Sequence, residues 1–351
     1  MEYVELNNGV RVSQLRSARR LGNIEVSPIG MGCMAFSHGY GEVPTEQYGI
    51  EAIRRAYDYG CTFFDTAEGY GGQQFWPGHN EQLLGKAVAP MREKVVLATK
   101  FMFMGTICKE GPEMVAFIRR HIEQSLKNLR TDYIDLYYLH RVNRQIPVES
   151  VARAMEVFIK EGLIRGWGLS QVGADTIRRA HEVTPLSAVQ NIYSMVERGI
   201  EQEVIPCCME RGIGVVPFSP IASGFLSGKV TAQTDFSHSD DVRKFVPQLR
   251  RENIDANQPI LDLLAEYAVK KQATKAQISL AWMLRKYSNV VPIPGSRNQE
   301  RILENLGGWN VALTDDEFQR LDDTLNSLPV HGYRGFEEYE GGTMADWGKK
   351  K

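Results

Sequence analysis

Eight short apolar runs alternate with eight segments of helical periodicity between residues 29 and 305, and few folds accept that rhythm. The runs are 29–34, 62–65, 95–100, 134–140, 166–170, 188–193, 215–219 and 290–293. They are near-continuous rather than alternating, as strands buried on both faces are. The helical segments are 45–59, 80–88, 113–129, 148–161, 174–181, 202–211, 260–287 (long enough for two pieces) and 299–305. Pro112 and Pro147 fall in the first turns of the third and fourth helices, where a missing N–H does no harm. Gly60, Gly162 and Gly212 follow helices, where a left-handed cap is wanted. Eight repeats of this unit favour an α/β fold closed on itself, a parallel (β/α)8 TIM barrel, over an open sheet.

Ahead of the first run lie two hairpin-like pieces, 4–12 around Asn8-Gly9 and 20–27 around Gly22-Asn23. One hairpin suffices to plug the base of a barrel. Two stretches exceed what a barrel needs. Residues 221–257 form a long polar connection after the seventh strand, including SHSDDVRK; a helix-like 315–328 and a tail, 330–351, follow the eighth unit. Long loops in compact domains are usually lids or disordered segments. Barrels gather such loops over the carboxyl-terminal face, so both stretches are expected near the pocket. No low-complexity linker divides the chain, which therefore reads as a single domain over 1–351, with 1–27 as an N-terminal hairpin region.

The carboxyl ends of parallel strands are where such a sheet presents polar groups. In TFFDTAEGYGG, residues 62–72, the apolar run stops at Asp65, and Tyr70 follows between two glycines that let the backbone turn its phenol inward. Lys100 closes KVVLATK and His140 closes YIDLYYLH. Each has an ordinary explanation. A strand-end Asp is a turn former, most tyrosines are packing residues, and a strand-end lysine or histidine is solvated or satisfies local backbone. Those explanations account poorly for four such groups at one height on adjacent strands.

Together they fit reduction of a carbonyl. A free phenol has a pKa near 10, roughly three units above neutrality. A neighbouring ammonium favours phenolate, and Asp65 can hold Lys100 charged and in place. His140 can donate to the carbonyl oxygen while Tyr70 gives it a proton. No side chain can deliver a hydride, so a nicotinamide cofactor is required.

Composition removes other classes. A net charge of −2 argues against nucleic acid or an anionic membrane as partner. No apolar run approaches the roughly 20 residues of a bilayer span, and the opening MEYVELNNGVRV lacks the apolar core of a signal peptide. Five cysteines, an odd count with no Cys-x-x-Cys, suit buried thiols in a reducing, cytoplasmic setting. There is no Gly-x-Gly-x-x-Gly after a strand, no metal-type His/Cys spacing, and a glycosidase pair of Asp65 with Glu68 would leave Lys100 and His140 without a role. Glu68 reads as a solvated turn residue.

Taken in combination, LGNIEVSPIGMGCM, FDTAEGYG, GHNEQLLGKAV, TKF, YIDLYYLHR, GLIRGWGLS, VQNIYS, PFSPIASGFLSGK and PIPGSRNQERILEN closely resemble the aldo-keto reductase family, nearest its bacterial and plant branches, over about nine tenths of the chain. The resemblance implies a barrel, NADPH-dependent reduction of aldehydes or ketones, and a catalytic tetrad of Asp65, Tyr70, Lys100 and His140. It places Ser170, Gln190 and Gln171, where relatives often have Asn, on the nicotinamide carboxamide. Phe218 stands where a tyrosine commonly stacks on the nicotinamide ring. Ser219, Ile221 and Ser223 would lie along the pyrophosphate, although many relatives carry a basic residue in place of Ser223. Ser296, Arg297 and Arg301 would surround the 2′-phosphate, with Glu304 and Asn305 at adenine. Independently, the Pro-Gly-Ser-Arg around Gly295, ahead of a helix, is a reasonable anion site. Phe36, His38, Tyr40, Phe101, Phe103 and Arg141 follow strands one, three and four and are candidates for the substrate pocket, with packing at the barrel rim as the alternative. The expected partners are NADPH and a small carbonyl compound, with no metal. A non-catalytic NADPH-binding regulatory subunit of the same fold is the rival reading, and the intact tetrad speaks against it.

Overall fold

The structure, a computed structural model, describes residues 17–334 together with the backbone of 3–5 and 11–13. Strands β1 (Tyr3–Glu5) and β2 (Arg11–Ser13) pair antiparallel, with Val4 opposite Val12, as the first hairpin requires; the Asn8-Gly9 turn lies outside the described residues. Strands β3 (Arg19–Leu21) and β4 (Ile24–Val26) form the second hairpin, with Leu21 opposite Ile24 and Gly22 at φ +59 in the two-residue turn.

Seven strands then form one parallel sheet in chain order: β5 (Met31–Gly32), β6 (Phe63–Asp65), β7 (Val96–Phe101), β8 (Ile134–Leu139), β9 (Ile164–Ser170), β10 (Ala188–Gln190) and β11 (Gly214–Val215). The eighth run, 290–293, closes the barrel: on the β11 side Val215 N donates to Asn289 O, and Val291 N and Ile293 N donate to Val215 O and Pro217 O at 2.8–3.0 Å. Val290 pairs with Val215 on one side, and on the other Gly30 N donates to Pro292 O at 2.9 Å and Gly32 pairs with Gly295. Its ladder is broken because Pro292 and Pro294 have no N–H to give.

Helices α1 (Glu46–Asp58), α2 (His79–Val88), α3 (Pro112–Leu129), α4 (Val148–Lys160), α5 (Ala174–Val183) and α6 (Val204–Glu210) connect the strands. After β11 come α7 (Arg251–Ala256), α8 (Gln258–Lys271), α9 (Lys275–Lys286), α10 (Gln299–Leu306) and α11 (Asp315–Ser327). The 260–287 segment is indeed two helices, parted at left-handed Gln272 and restarted by a capping box between Thr274 and Gln277. Pro112 is the first residue of α3, whereas Pro147 stands one place ahead of its helix, as the N-cap of α4.

The barrel interior explains the second hairpin. Leu21, Ile24 and Val26 pack against Phe63, Leu136, Tyr138, Val216 and Ile293, so β3–β4 plugs the amino-terminal mouth. Gly214 has to be glycine, since a Cβ there would fall 2.9 Å from Leu21 Cα and still closer to its side chain. Gly214→Ala should therefore cost about 1–3 kcal/mol, as overpacking does, and lower the melting temperature by a few degrees. An unchanged melting curve would mean that the plug is not seated so tightly.

At the other mouth, the connection 221–257 runs from α10 to the loop after β5. Lys229 pairs with Glu304 at 2.9 Å, Asp240 accepts from Gly39 N at 2.6 Å, and Val242 N donates to Gly39 O at 3.0 Å. Of the tail, 331–334 returns over the same face, and 335–351 lies outside the described residues. Among the described residues no helix is long and apolar enough to cross a membrane, and no His, Cys, Asp or Glu cluster could hold a metal. All five cysteines are free and buried.

Candidate active site

The end of β6 and the turn that follows it converge on a single amine from β7. Lys100 Nζ, fully buried, lies 2.5 Å from Asp65 Oδ1, 2.6 Å from Thr66 O and 3.5 Å from Tyr70 Oη. Gln190 Nε2 donates to the other Asp65 oxygen at 2.8 Å. Left-handed Gly71 and the bond from Asn80 N to Tyr70 O shape the turn that carries Tyr70. Its ring lies between two imidazoles, 5.3 Å from His38 and 5.8 Å from His140.

Burial sets the charges. It pulls the Lys100 ammonium down, but Asp65 and Tyr70 outweigh it, and the amine stays charged, above its usual value. Burial pushes the Asp65 carboxyl up against the pull of Lys100. The state that fits both is the ion pair, because each carboxylate oxygen accepts from a donor. Burial also raises Tyr70, and although Lys100 draws it down as expected from sequence, the net direction is upward. The phenol thus keeps its proton through the neutral range. Burial, then Arg141, Lys100 and His38, hold His140 well below the ordinary imidazole value, so it is neutral and carries one N–H.

Lys100→Met should leave Asp65 buried with Gln190 as its side-chain donor, and its pKa, already above the unfolded value of about 3.9, should rise further. A group raised on folding contributes stability below its unfolded pKa and loses it as pH rises through the folded one. The melting deficit of the variant should therefore widen from pH 5 to pH 8, toward the ~3–5 kcal/mol that breaking a buried pair costs. A gap of equal size at both values would show that Lys100 does not hold the Asp65 charge.

Tyr70 and His140 face a cavity of about 1490 Å³ that reaches to α10. Asp65, His38, Tyr40, Arg141, Ser170, Gln190 and Phe218 line its inner part. Arg141 Nη1 donates to Ser170 Oγ at 3.1 Å. Ser219, Ile221 and Ser223 line the middle, and Gly295, Ser296, Arg297, Arg301, Glu304 and Asn305 the far end.

Four expected residues lie elsewhere. Gln171 is buried and turned away, its Oε1 accepting from Ile192 N at 2.9 Å. Phe36 belongs to the outer core, packed against Gly49. Phe101 stacks on Tyr137 at 5.3 Å and Phe103 on Phe117 at 5.3 Å, both behind the sheet. The reason is strand alternation: Lys100 points into the barrel, so Phe101 points out.

Glu68 is a further correction. It is no solvated turn residue, since Oε1 accepts from Met102 N at 2.9 Å and Oε2 lies 2.6 Å from His121 Nδ1. It joins the β6 turn to the β7 loop and α3. Arg243, Lys244 and Arg334 also line the cavity; they fall in the 221–257 and 330–351 stretches expected near the pocket, but none was named as a site residue.

Comparison with known proteins gives a consistent result. The "Aldo/keto reductase family" profile matches residues 28–326. A Glycine max protein described as "Probable aldo-keto reductase 1" is 38% identical over 329 residues, covering 92% of this chain and 91% of the relative. The solved structure of a glycerol dehydrogenase from Gluconobacter oxydans superposes with a TM-score of 0.76 at 27% identity, covering 90% of this chain and 97% of the other. An aldo/keto reductase from Klebsiella pneumoniae, solved with NADP and acetate, gives a TM-score of 0.68 at 26% identity, covering 92% and 98%.

Proposed function

The chain belongs to the aldo/keto reductase family, and we propose that it is an NADPH-dependent reductase of aldehydes or ketones whose proton donor is Tyr70. The observation that carries this reading is the Tyr70 hydroxyl, set 3.5 Å from an ammonium that is itself locked to a buried carboxylate, at the floor of a large cavity.

The residues present fit a dinucleotide. The cavity exceeds the ~300–1,000 Å³ of an ordinary small-molecule pocket, which leaves room for a second, smaller compound. Its middle is a strained stretch: Ser219, Ala222 and Ser223 stand at φ +53, +49 and +55, with Gly224 at +100. Left-handed non-glycine residues cost about 1–3 kcal/mol each and cluster at ligand sites. The buried Ser223 Oγ has no hydrogen-bond partner among the described residues, which suits a phosphate oxygen. Arg297 and Arg301 would hold the 2′-phosphate and Phe218 the nicotinamide face.

When bound, NADPH supplies the hydride. His140, neutral, donates its N–H to the carbonyl oxygen and orients it. Tyr70 gives that oxygen its proton, and the phenolate left behind is stabilised by Lys100. Asp65 keeps Lys100 charged and directed at the phenol. The reading is tested by mixing the purified protein with NADPH and a panel of small aldehydes and ketones. Loss of NADPH absorbance with alcohol formation is expected; a protein that binds NADPH and turns over none of the panel would instead be a regulatory subunit.

A further inference from the structure

We propose that Arg334 is a diphosphate-binding residue of the dinucleotide site, an assignment that rests on the cofactor reading above. Arg334 comes from the segment after α11, yet it is only 5% exposed and lines the cavity. Its Nε donates to Ser219 Oγ at 3.1 Å, at the first left-handed residue of the strained stretch, and its guanidinium also meets the Tyr40 hydroxyl.

The backbone that delivers it is held at every step. His331 N donates to Asn257 Oδ1 at 2.9 Å and His331 O accepts from Asn257 Nδ2 at 2.8 Å. Gly332 is left-handed, at φ +74, and packed so closely that a Cβ would fall 2.8 Å from Gln248 N. Tyr333 O accepts from Gln248 N at 3.2 Å, and Arg334 N donates to Glu197 Oε2 at 2.9 Å. Four residues are thus fixed so that one guanidinium enters the cavity beside Ser219.

Burying a guanidinium is costly, and this one keeps its charge, because arginine is not deprotonated in proteins. Its position selects the ligand. Ser219 is left-handed, as are Ala222, Ser223 and Gly224 a few residues on, and in that stretch the Ser223 hydroxyl, 7% exposed, has no hydrogen-bond partner among the described residues. A planar two-pronged cation beside a buried hydroxyl matches the oxygens of a diphosphate. In a dinucleotide that lies between Phe218 and Arg301, the group at this height is the diphosphate.

The diphosphate is common to NADPH and NADH, which separates Arg334 from Arg297 and Arg301. Dissociation constants for both dinucleotides, from quenching of intrinsic fluorescence, should rise together in Arg334→Met by roughly tenfold to a hundredfold, the scale of a charged hydrogen bond. Arg334→Lys, which keeps the charge and loses the fork, should fall between Met and wild type, and it carries the test if the Met variant melts early without ligand. Unchanged affinities would overturn the assignment. So would a loss confined to NADPH, or unchanged dinucleotide affinities with a higher KM for a carboxylate-bearing aldehyde alone, since Arg334 would then serve the substrate. Wild type that binds neither dinucleotide would remove the cofactor reading itself, and the assignment with it.

Discussion

Tyr70→Phe should slow carbonyl reduction by roughly 10²–10⁴-fold, the usual contribution of general-acid help, while leaving NADPH affinity within about twofold of wild type. The substitution removes one oxygen, whose contact in the structure is Lys100 at 3.5 Å. The ring keeps its packing between His38 and His140, so the turn has no reason to move. The groups assigned to the dinucleotide, from Ser170 to Asn305, do not touch that oxygen. Because burial keeps the phenol protonated, wild-type reduction should hold its rate through the neutral range instead of falling as a donor with a lower pKa would. The check is a pre-steady-state rate with a reactive aldehyde, beside a fluorescence titration with NADPH. A rate within a few-fold of wild type would mean that another group, with His140 the first candidate, supplies the proton.

The barrel was legible because its strands are buried on both faces and so read as continuous apolar runs. Where the pattern blurred, proline chemistry was responsible: Pro292 and Pro294 have no N–H to give, so the eighth strand keeps only the bonds donated by Val291 and Ile293 and those it accepts. The position of Asp65, Lys100 and His140 at the mouth was legible because a polar residue ending a buried strand has one direction in which to point. Phe101 and Phe103 were misplaced because position after a strand was given more weight than the two-residue period, which sends them to the side opposite Lys100. Glu68 was misjudged because its partners, Met102 and His121, lie in other units. The tail 330–351 was expected over the pocket, but nothing singled out Arg334 within it. Arg334 reaches Ser219 across 115 positions, and no periodicity or motif joins a tail to a turn that distant.

Arg297 and Arg301 should decide between NADPH and NADH. The two differ by the 2′-phosphate, so preference has to come from groups that meet that dianion. The far end of the cavity offers Ser296 and the two guanidinium forks. Glu304 could have favoured a ribose hydroxyl instead, but the structure pairs it with Lys229 at 2.9 Å, which cancels its charge. A hydrogen bond to a charged group is worth about 1.5–3 kcal/mol, and exposure keeps these two at the lower part of that range. Two of them, at about 1.4 kcal/mol per factor of ten, give a preference of roughly 10²–10³-fold. Arg297 has a second duty that complicates a single substitution, since its Nη1 donates to Glu42 O and ties α10 to the loop after β5. Losing that tie would loosen the cavity for both dinucleotides. Arg301 makes no such tie to Glu42, so Arg301→Ala should weaken NADPH by roughly tenfold and leave NADH alone, while the double Ala variant should reach the full loss for NADPH with a small loss for NADH. Dissociation constants for each variant with both dinucleotides measure this directly. Equal losses for the two in Arg301→Ala would mean that the side chain supports adenine or the fold, and that the 2′-phosphate site lies elsewhere.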